Sequence, residues 1–93
     1  MKRTKVYSVY ILRCSDDSLY TGISKDVAGR LRLHNLGKGA RYTRSRRPCK
    51  LVYREDGFGV GEALKREGAI KRLSRSMKMK LVRLSVLSDG LLK

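Results

Sequence analysis

Arg30 and His34 stand four residues apart in "LYTGISKDVAGRLRLHN", so on a helix both project from one side, beside Val27 and Leu31. A guanidinium placed there can hold a phosphate through two donors, and an imidazole can orient or relay a proton near neutral pH. Upstream, Tyr10 and Tyr20 offer phenols, which act as bases only where positive charge or a metal-bound water network lowers a pKa of about 10. Downstream, Glu67 falls at i+4 from Ala63, i+3 from Leu64 and i−3 from Ile70, inside an apolar stripe. A carboxylate desolvated in such a stripe needs a cation or hydrogen-bond donors. Each residue also has a plainer reading. Arg30 can pair with Asp26, His34 can be a packed ring, the tyrosines can be core aromatics with tied hydroxyls, and Glu67 can pair with Lys71 on the surface.

The composition narrows the partners of such chemistry. Among 93 residues, 23 Lys and Arg face 8 Asp and Glu, a net charge of +15 spread along the chain. That excess in one small domain is self-repulsive unless a polyanion is near, and nucleic acid is the first candidate, ahead of a solvated basic surface or a membrane surface. No stretch approaches the roughly 18 apolar residues of a spanning helix, and "MKRTK" is not followed by a signal-peptide core. Cys14 and Cys49 are too far apart for a CxxC unit, and a single histidine excludes the usual Cys/His zinc patterns. Both cysteines read as small apolar fillers in a reducing cytosol, so a cytoplasmic location is expected.

The elements that must position these residues follow from local patterns. "VYSVYILRC" from Val6 is β-branched and aromatic with apolar residues on both faces, as an interior strand requires. "SDD" is turn chemistry, and "SLYTGI" is the return strand of a hairpin. Tyr10 and Tyr20 share a face if the loop has an odd number of residues, such as Ser15 to Asp17; a two-residue loop at Asp16 and Asp17 would separate them. Asp26 predicts the N-cap of a helix to about Leu36, stopped by Gly37 and Gly39. "GKGARYTRSRRP" reads as a loop with five positive residues, then "CKLVYRE" as a third strand. After "DGFGVG", a second helix fits Glu62 to about Leu73. Ser76 can cap a third through "MKMKLVRLSVL", with Met77, Leu81 and Leu84 on one apolar face. The expected fold is α+β in the order β-β-α-β-α-α. A small three-stranded, mostly antiparallel sheet is flanked by about three helices in one domain, residues 1–93, with its core at about 6–84 and a tail at 85–93.

In that basic loop, Lys38, Arg41, Arg44, Arg46 and Arg47 suit backbone phosphates, and Tyr42 can stack on an exposed base. A floppy solvated loop is the alternative. Gly22, lacking a Cβ, lets a phosphate or a backbone approach the tyrosine closely, or simply ends a strand.

Taken together, "SVY" at Ser8 to Tyr10, "YTG" at Tyr20 to Gly22, "RLRLH" at Arg30 to His34 and "ALKREGAIKRL" around Glu67 resemble, in order and spacing, the motifs of the GIY-YIG nuclease superfamily. "YILRCSDDSLYTGIS", "HNLGKGARYTR" and "REGAIKRLS" look like its short stand-alone bacterial members, and the resemblance runs from about Val6 to Leu84. The first motif departs from its name at Ser8 and Val9, the second at Thr21. The lysine some members carry after the second motif is replaced at Ser24, with Lys25 beside it.

The resemblance implies a metal-dependent endonuclease acting on phosphodiester bonds, of DNA ahead of RNA. Glu67 would be the single ligand of one divalent cation, Mg²⁺ or Mn²⁺, weakly bound without substrate because most of its other ligands are water and phosphate. Arg30 would contact the phosphate near the scissile bond. Tyr10 and Tyr20 would be the paired site tyrosines, one of them acting as or positioning the base. His34 would take the histidine-or-tyrosine position beside the arginine. Gly22, Lys25, the five loop cations, Tyr42 and Lys71 are the expected nucleic-acid contacts, and no obligate protein partner is implied. Two rivals remain: a non-catalytic nucleic-acid-binding module of the same fold, and a small structural RNA-binding protein. Under any of these readings, binding to duplex DNA weakens steeply with salt. The log–log slope, measured by fluorescence anisotropy, is expected at about −0.9 per neutralised phosphate, and a slope near zero would remove the polyanion.

Overall fold

In the computed structural model, which describes residues 5–92 and side chains as far as residue 85, β1 (Tyr7–Arg13) is buried on both faces. The reason is its place. The sheet runs β2-β1-β3, with β2 (Leu19–Ser24) and β3 (Lys50–Phe58) antiparallel on either side of it. On one face, Tyr10 and Leu12 join Cys14, Val27, Cys49, Tyr20, Leu31 and Leu51 beneath α1 (Val27–Asn35). On the other, Val9 and Ile11 pack with Ala63 and Ile70 of α3 (Val60–Lys71) and with Leu81 of α4 (Arg75–Leu92). The molecule is therefore helix, sheet, helix in layers. The first four residues of "MKRTK" and the side chains of the terminal "SDGLLK" lie outside the described residues.

The hairpin register fixes which side chains can meet. Tyr10 lies opposite Gly22 and Leu12 opposite Tyr20, so all four share a face. The turn closes through Cys14 N–H to the Ser18 carbonyl at 2.9 Å, leaving Ser15 to Asp17 as an odd-numbered loop with Asp17 at φ 69°. Asp16 accepts from both the N–H and the hydroxyl of Ser18, at 3.0 and 2.6 Å.

Asp26 caps α1 as its residue type predicts, its carboxylate accepting from the Gly29 N–H at 3.0 Å. Asn35 at the end of that helix holds the start of β3. Its amide donates to the Cys49 carbonyl at 3.0 Å, and its carbonyl oxygen accepts from the Cys49 N–H at 2.7 Å.

Several expectations are corrected. The basic loop contains a one-turn helix, α2 (Arg41–Arg44), so the order is β-β-α-α-β-α-α. No side chain caps α2, and a hydrogen bond between Thr43 and His34 of α1 ties it down instead. The third strand continues through "DGF", because register shifts against β1 absorb the extra residues while Ser8 donates to Asp56 at 2.5 Å. The helix expected from Glu62 begins at Val60, with the Glu62 carboxylate reaching back to the Gly59 N–H at 2.9 Å. Ser74, not Ser76, caps the last helix through the Met77 N–H, and that helix runs on to Leu92. Its expected apolar face is only partly covered: Leu81 packs, whereas Met77 and Leu84 are exposed. Both cysteines are buried and unpaired, as expected of apolar fillers.

Ile11 is fully buried against Ala63 and Ile70, so Ile11→Ala removes packing from the layer that holds α3. A loss of about 2–5 kcal/mol is expected in urea denaturation, a large part of the stability of a small domain.

Candidate active site

Tyr10 is almost wholly buried, and its hydroxyl lies 2.9 Å from Nε2 of a fully buried His34. On the far side of the ring, Nδ1 lies 2.7 Å from the hydroxyl of Thr43, itself buried, and that hydroxyl donates to the Ala40 carbonyl at 3.2 Å. These partners assign the tautomer. With the Thr43 proton committed to Ala40, Nδ1–H donates to Thr43, leaving Nε2 to accept the Tyr10 proton. A directed chain thus runs from the phenol through the imidazole to the backbone of the "GKGA" turn.

Two glycines make this packing possible. A Cβ at Gly22 would sit 2.6 Å from the Tyr10 hydroxyl, and one at Gly39 would sit 2.5 Å from His34 Nδ1. The space beside Gly22 is therefore taken by the Tyr10 ring.

The other expected residues close around this pair. Tyr20 lies 6.4 Å from Tyr10 and 5.1 Å from His34, centroid to centroid, with edge-on geometry to the imidazole. The half-buried Arg30 is near enough for its charge to act on both Tyr10 and His34. Burial, before any neighbouring charge, pushes the Tyr10 phenol well above its ordinary range. Tyr20 and Glu67 add to that, and Arg30 opposes it. Glu67 is held in place by its helix, because Arg66 next to it forks onto Glu55 of β3 at 2.7 and 2.8 Å and fixes the rotation of α3. The Glu67 side chain is 18% exposed and faces the Lys71 ammonium at 3.2 Å, so the inward position and the i,i+4 pair occur together.

The basic loop residues divide. Tyr42 stacks on Tyr20 at 6.0 Å and carries the Arg46 guanidinium 3.9 Å above its ring. Arg46 also pairs with Asp16 at 3.0 Å, so it is a structural cation as well as a surface one. Arg44 and Arg47 line a different hollow with Asn35, Ser45 and Pro48. Lys25 lies over the Tyr7 ring at 5.6 Å, beside Val60 and Glu62. Lys38 and Arg41 are exposed. Thr43 and Gly39 escape sequence reasoning, since nothing in "GKGARYTR" marks a threonine that orients a histidine nine residues earlier.

A hard divalent cation fits this site in a limited way. Among the described residues no three His, Cys, Asp or Glu side chains cluster, so Glu67 would be its single carboxylate ligand. The Lys71 ammonium on that carboxylate shows that it accepts a cation, and any metal would have to compete with it.

Burial first, and the Arg30 charge second, hold the His34 pKa below its ordinary 6.5. The folded state then binds fewer protons here than the unfolded chain, so the resulting stability is full above about pH 6.5 and lost as pH falls below it. The urea midpoint is expected to drop between pH 7 and 5.5, and that drop should flatten in His34→Gln. An equal slope in both proteins would contradict it.

Known proteins resemble this chain over most of its length. The chain matches the GIY-YIG catalytic domain over residues 6–80. The UPF0213 protein SERP0126 of Staphylococcus epidermidis is 54% identical over 74 residues, covering 80% of this chain and 90% of that one. The solution structure of the UPF0213 protein BH0048 from Bacillus halodurans is 46% identical, with a TM-score of 0.55 over 84% of this chain and 83% of that one. The protein EF2693 from E. faecalis is 34% identical, with a TM-score of 0.58 over 92% and 90%. With the matched domain spanning all four motifs and both central tyrosines, the chain belongs to the GIY-YIG family, a family of nucleases.

Proposed function

We propose that the protein is a divalent-cation-dependent endonuclease that hydrolyses phosphodiester bonds of nucleic acid, DNA ahead of RNA, in the cytoplasm. The observation that carries this reading is the gathering of His34, Tyr20, Arg30 and Glu67 around one buried phenol, Tyr10. A cation held by Glu67 would supply positive charge to the phosphate oxygens and the leaving 3′ oxygen.

The chain's own residues manage the proton. Tyr10 is kept protonated by burial, so it does not begin as a phenolate. It takes a proton from the attacking water as its own moves to His34 Nε2, which is unprotonated at neutral pH and aligned at 2.9 Å. Thr43 holds the imidazole in the accepting orientation. Arg30 shares the charge that builds on the phosphate. Tyr20 fills the space against the imidazole ring and excludes water from it. The Lys71 ammonium, displaced by a cation held by Glu67, would then be free to meet the phosphate.

Cleavage of a panel of DNA and RNA structures with Mg²⁺ or Mn²⁺ tests this. Glu67→Gln and Arg30→Ala are each expected to lower the rate by about 10²–10³ or more, with binding changed far less. Undiminished cutting by both variants would assign the activity to a contaminant. Binding without cutting by the unmutated protein would leave a non-catalytic nucleic-acid-binding module.

A further inference from the structure

At the β2 edge of the sheet, Leu19, Tyr20, Thr21, Tyr42, Lys71 and Lys78 line an open hollow of about 220 Å³. Its walls carry three different chemistries. Tyr20 and Tyr42 present nearly parallel aromatic rings, 23° apart in plane. Lys71 and Lys78 bring two ammonium groups from α3 and α4, and Lys78 makes no ion pair among the described residues. Thr21 is only 3% exposed, and its hydroxyl is covered from solvent with no hydrogen-bond partner among the described residues. A buried hydroxyl left unpaired destabilises the fold, and a ligand that displaces the side chains covering it supplies the missing partner.

A ligand complementary to all three walls is planar on one side, anionic on another and polar between them. Those are the parts of a nucleotide: base, phosphate and sugar. The hollow is open to solvent, and its volume, below the roughly 300–1,000 Å³ of pockets for drug-sized ligands, is that of a subsite for one base rather than of a cavity enclosing a whole ligand. We propose that this hollow is a nucleotide subsite that takes one unpaired nucleotide of a strand, its base against Tyr20 and Tyr42 and its phosphate between Lys71 and Lys78. The Thr21 hydroxyl bonds the base or sugar. Because Tyr20 borders both the hollow and the Tyr10 centre, the captured nucleotide neighbours the phosphate under attack, which rests on the nuclease reading above. A base within continuous duplex is already paired and stacked and must be extruded first. Single strands, gaps and flaps are therefore the favoured substrates.

The test measures binding with the full chain carrying Glu67→Gln, so that no strand is cut. The probes are an oligonucleotide single strand with one 2-aminopurine, and the same sequence as duplex. Adding Lys78→Ala is expected to weaken single-strand binding about ten-fold and duplex binding by less than about three-fold, and to diminish the stacking quench of 2-aminopurine. Adding Thr21→Val is expected to raise Tm by a few degrees while weakening single-strand binding, since it removes an unpaired hydroxyl that the ligand uses. Equal weakening of both probes by Lys78→Ala, or a raised Tm with unchanged single-strand binding in Thr21→Val, overturns the subsite. So does a lowered Tm, which would mean the hydroxyl has a partner within the fold. A nucleoside monophosphate that binds and quenches where the strand does not would likewise overturn it. Cleavage by the unmutated protein is scored separately. Failure of the nuclease reading abolishes cutting and leaves these binding differences intact, whereas failure of the subsite removes the differences and leaves cutting.

Discussion

The hydrogen bond between the Tyr10 hydroxyl and His34 Nε2 joins the central strand to the first helix inside the protein, where neither group can turn to water for a partner. Much of the surrounding structure serves that contact. The odd-numbered hairpin loop places Tyr10 and Tyr20 on one face, Asp26 starts α1 so that His34 reaches inward, and α2 brings Thr43 to the other side of the ring. Loss of any one of these leaves a buried polar group unpaired, which costs about 1–3 kcal/mol and also frees the ring to rotate.

The two sides of the sheet divide the work. The α1 and α2 layer supplies the aromatic groups, the imidazole and the guanidinium, while the α3 layer supplies the carboxylate, fixed by the Arg66–Glu55 fork. Glu67 alone is tied to a cation of its own helix, so the negative charge of the site is internally neutralised until another positive charge or a phosphate competes for one member of the pair. A surface with an excess of positive charge thereby keeps the Glu67 carboxylate from repelling an approaching polyanion.

Much of this was legible in the residues. Apolar residues on both faces and β-branching marked β1 as interior, Asp26 marked the start of α1, and the Ala63–Glu67–Ile70 spacing marked Glu67 as inward. What stayed hidden depended on long-range contacts. "RYTR" has neither a side-chain cap nor an apolar period, so α2 exists through Thr43 and His34 rather than through its own propensity. The period of Met77, Leu81 and Leu84 marked a face correctly but could not say that little of the molecule covers it. Lys78 sat unnoticed in that same helix, since a lysine among lysines acquires meaning only from the rings and the hydroxyl opposite it.

Gly22 shows how a motif residue can mislead about contact. It faces Tyr10 across the hairpin, and the room its missing side chain leaves is filled by the phenol itself. Positions 10 and 22 are therefore one steric unit, but the constraint runs one way. A side chain at 22 is incompatible with the phenol where it sits here, so it would report the loss of that phenol, whereas glycine at 22 fits with or without it.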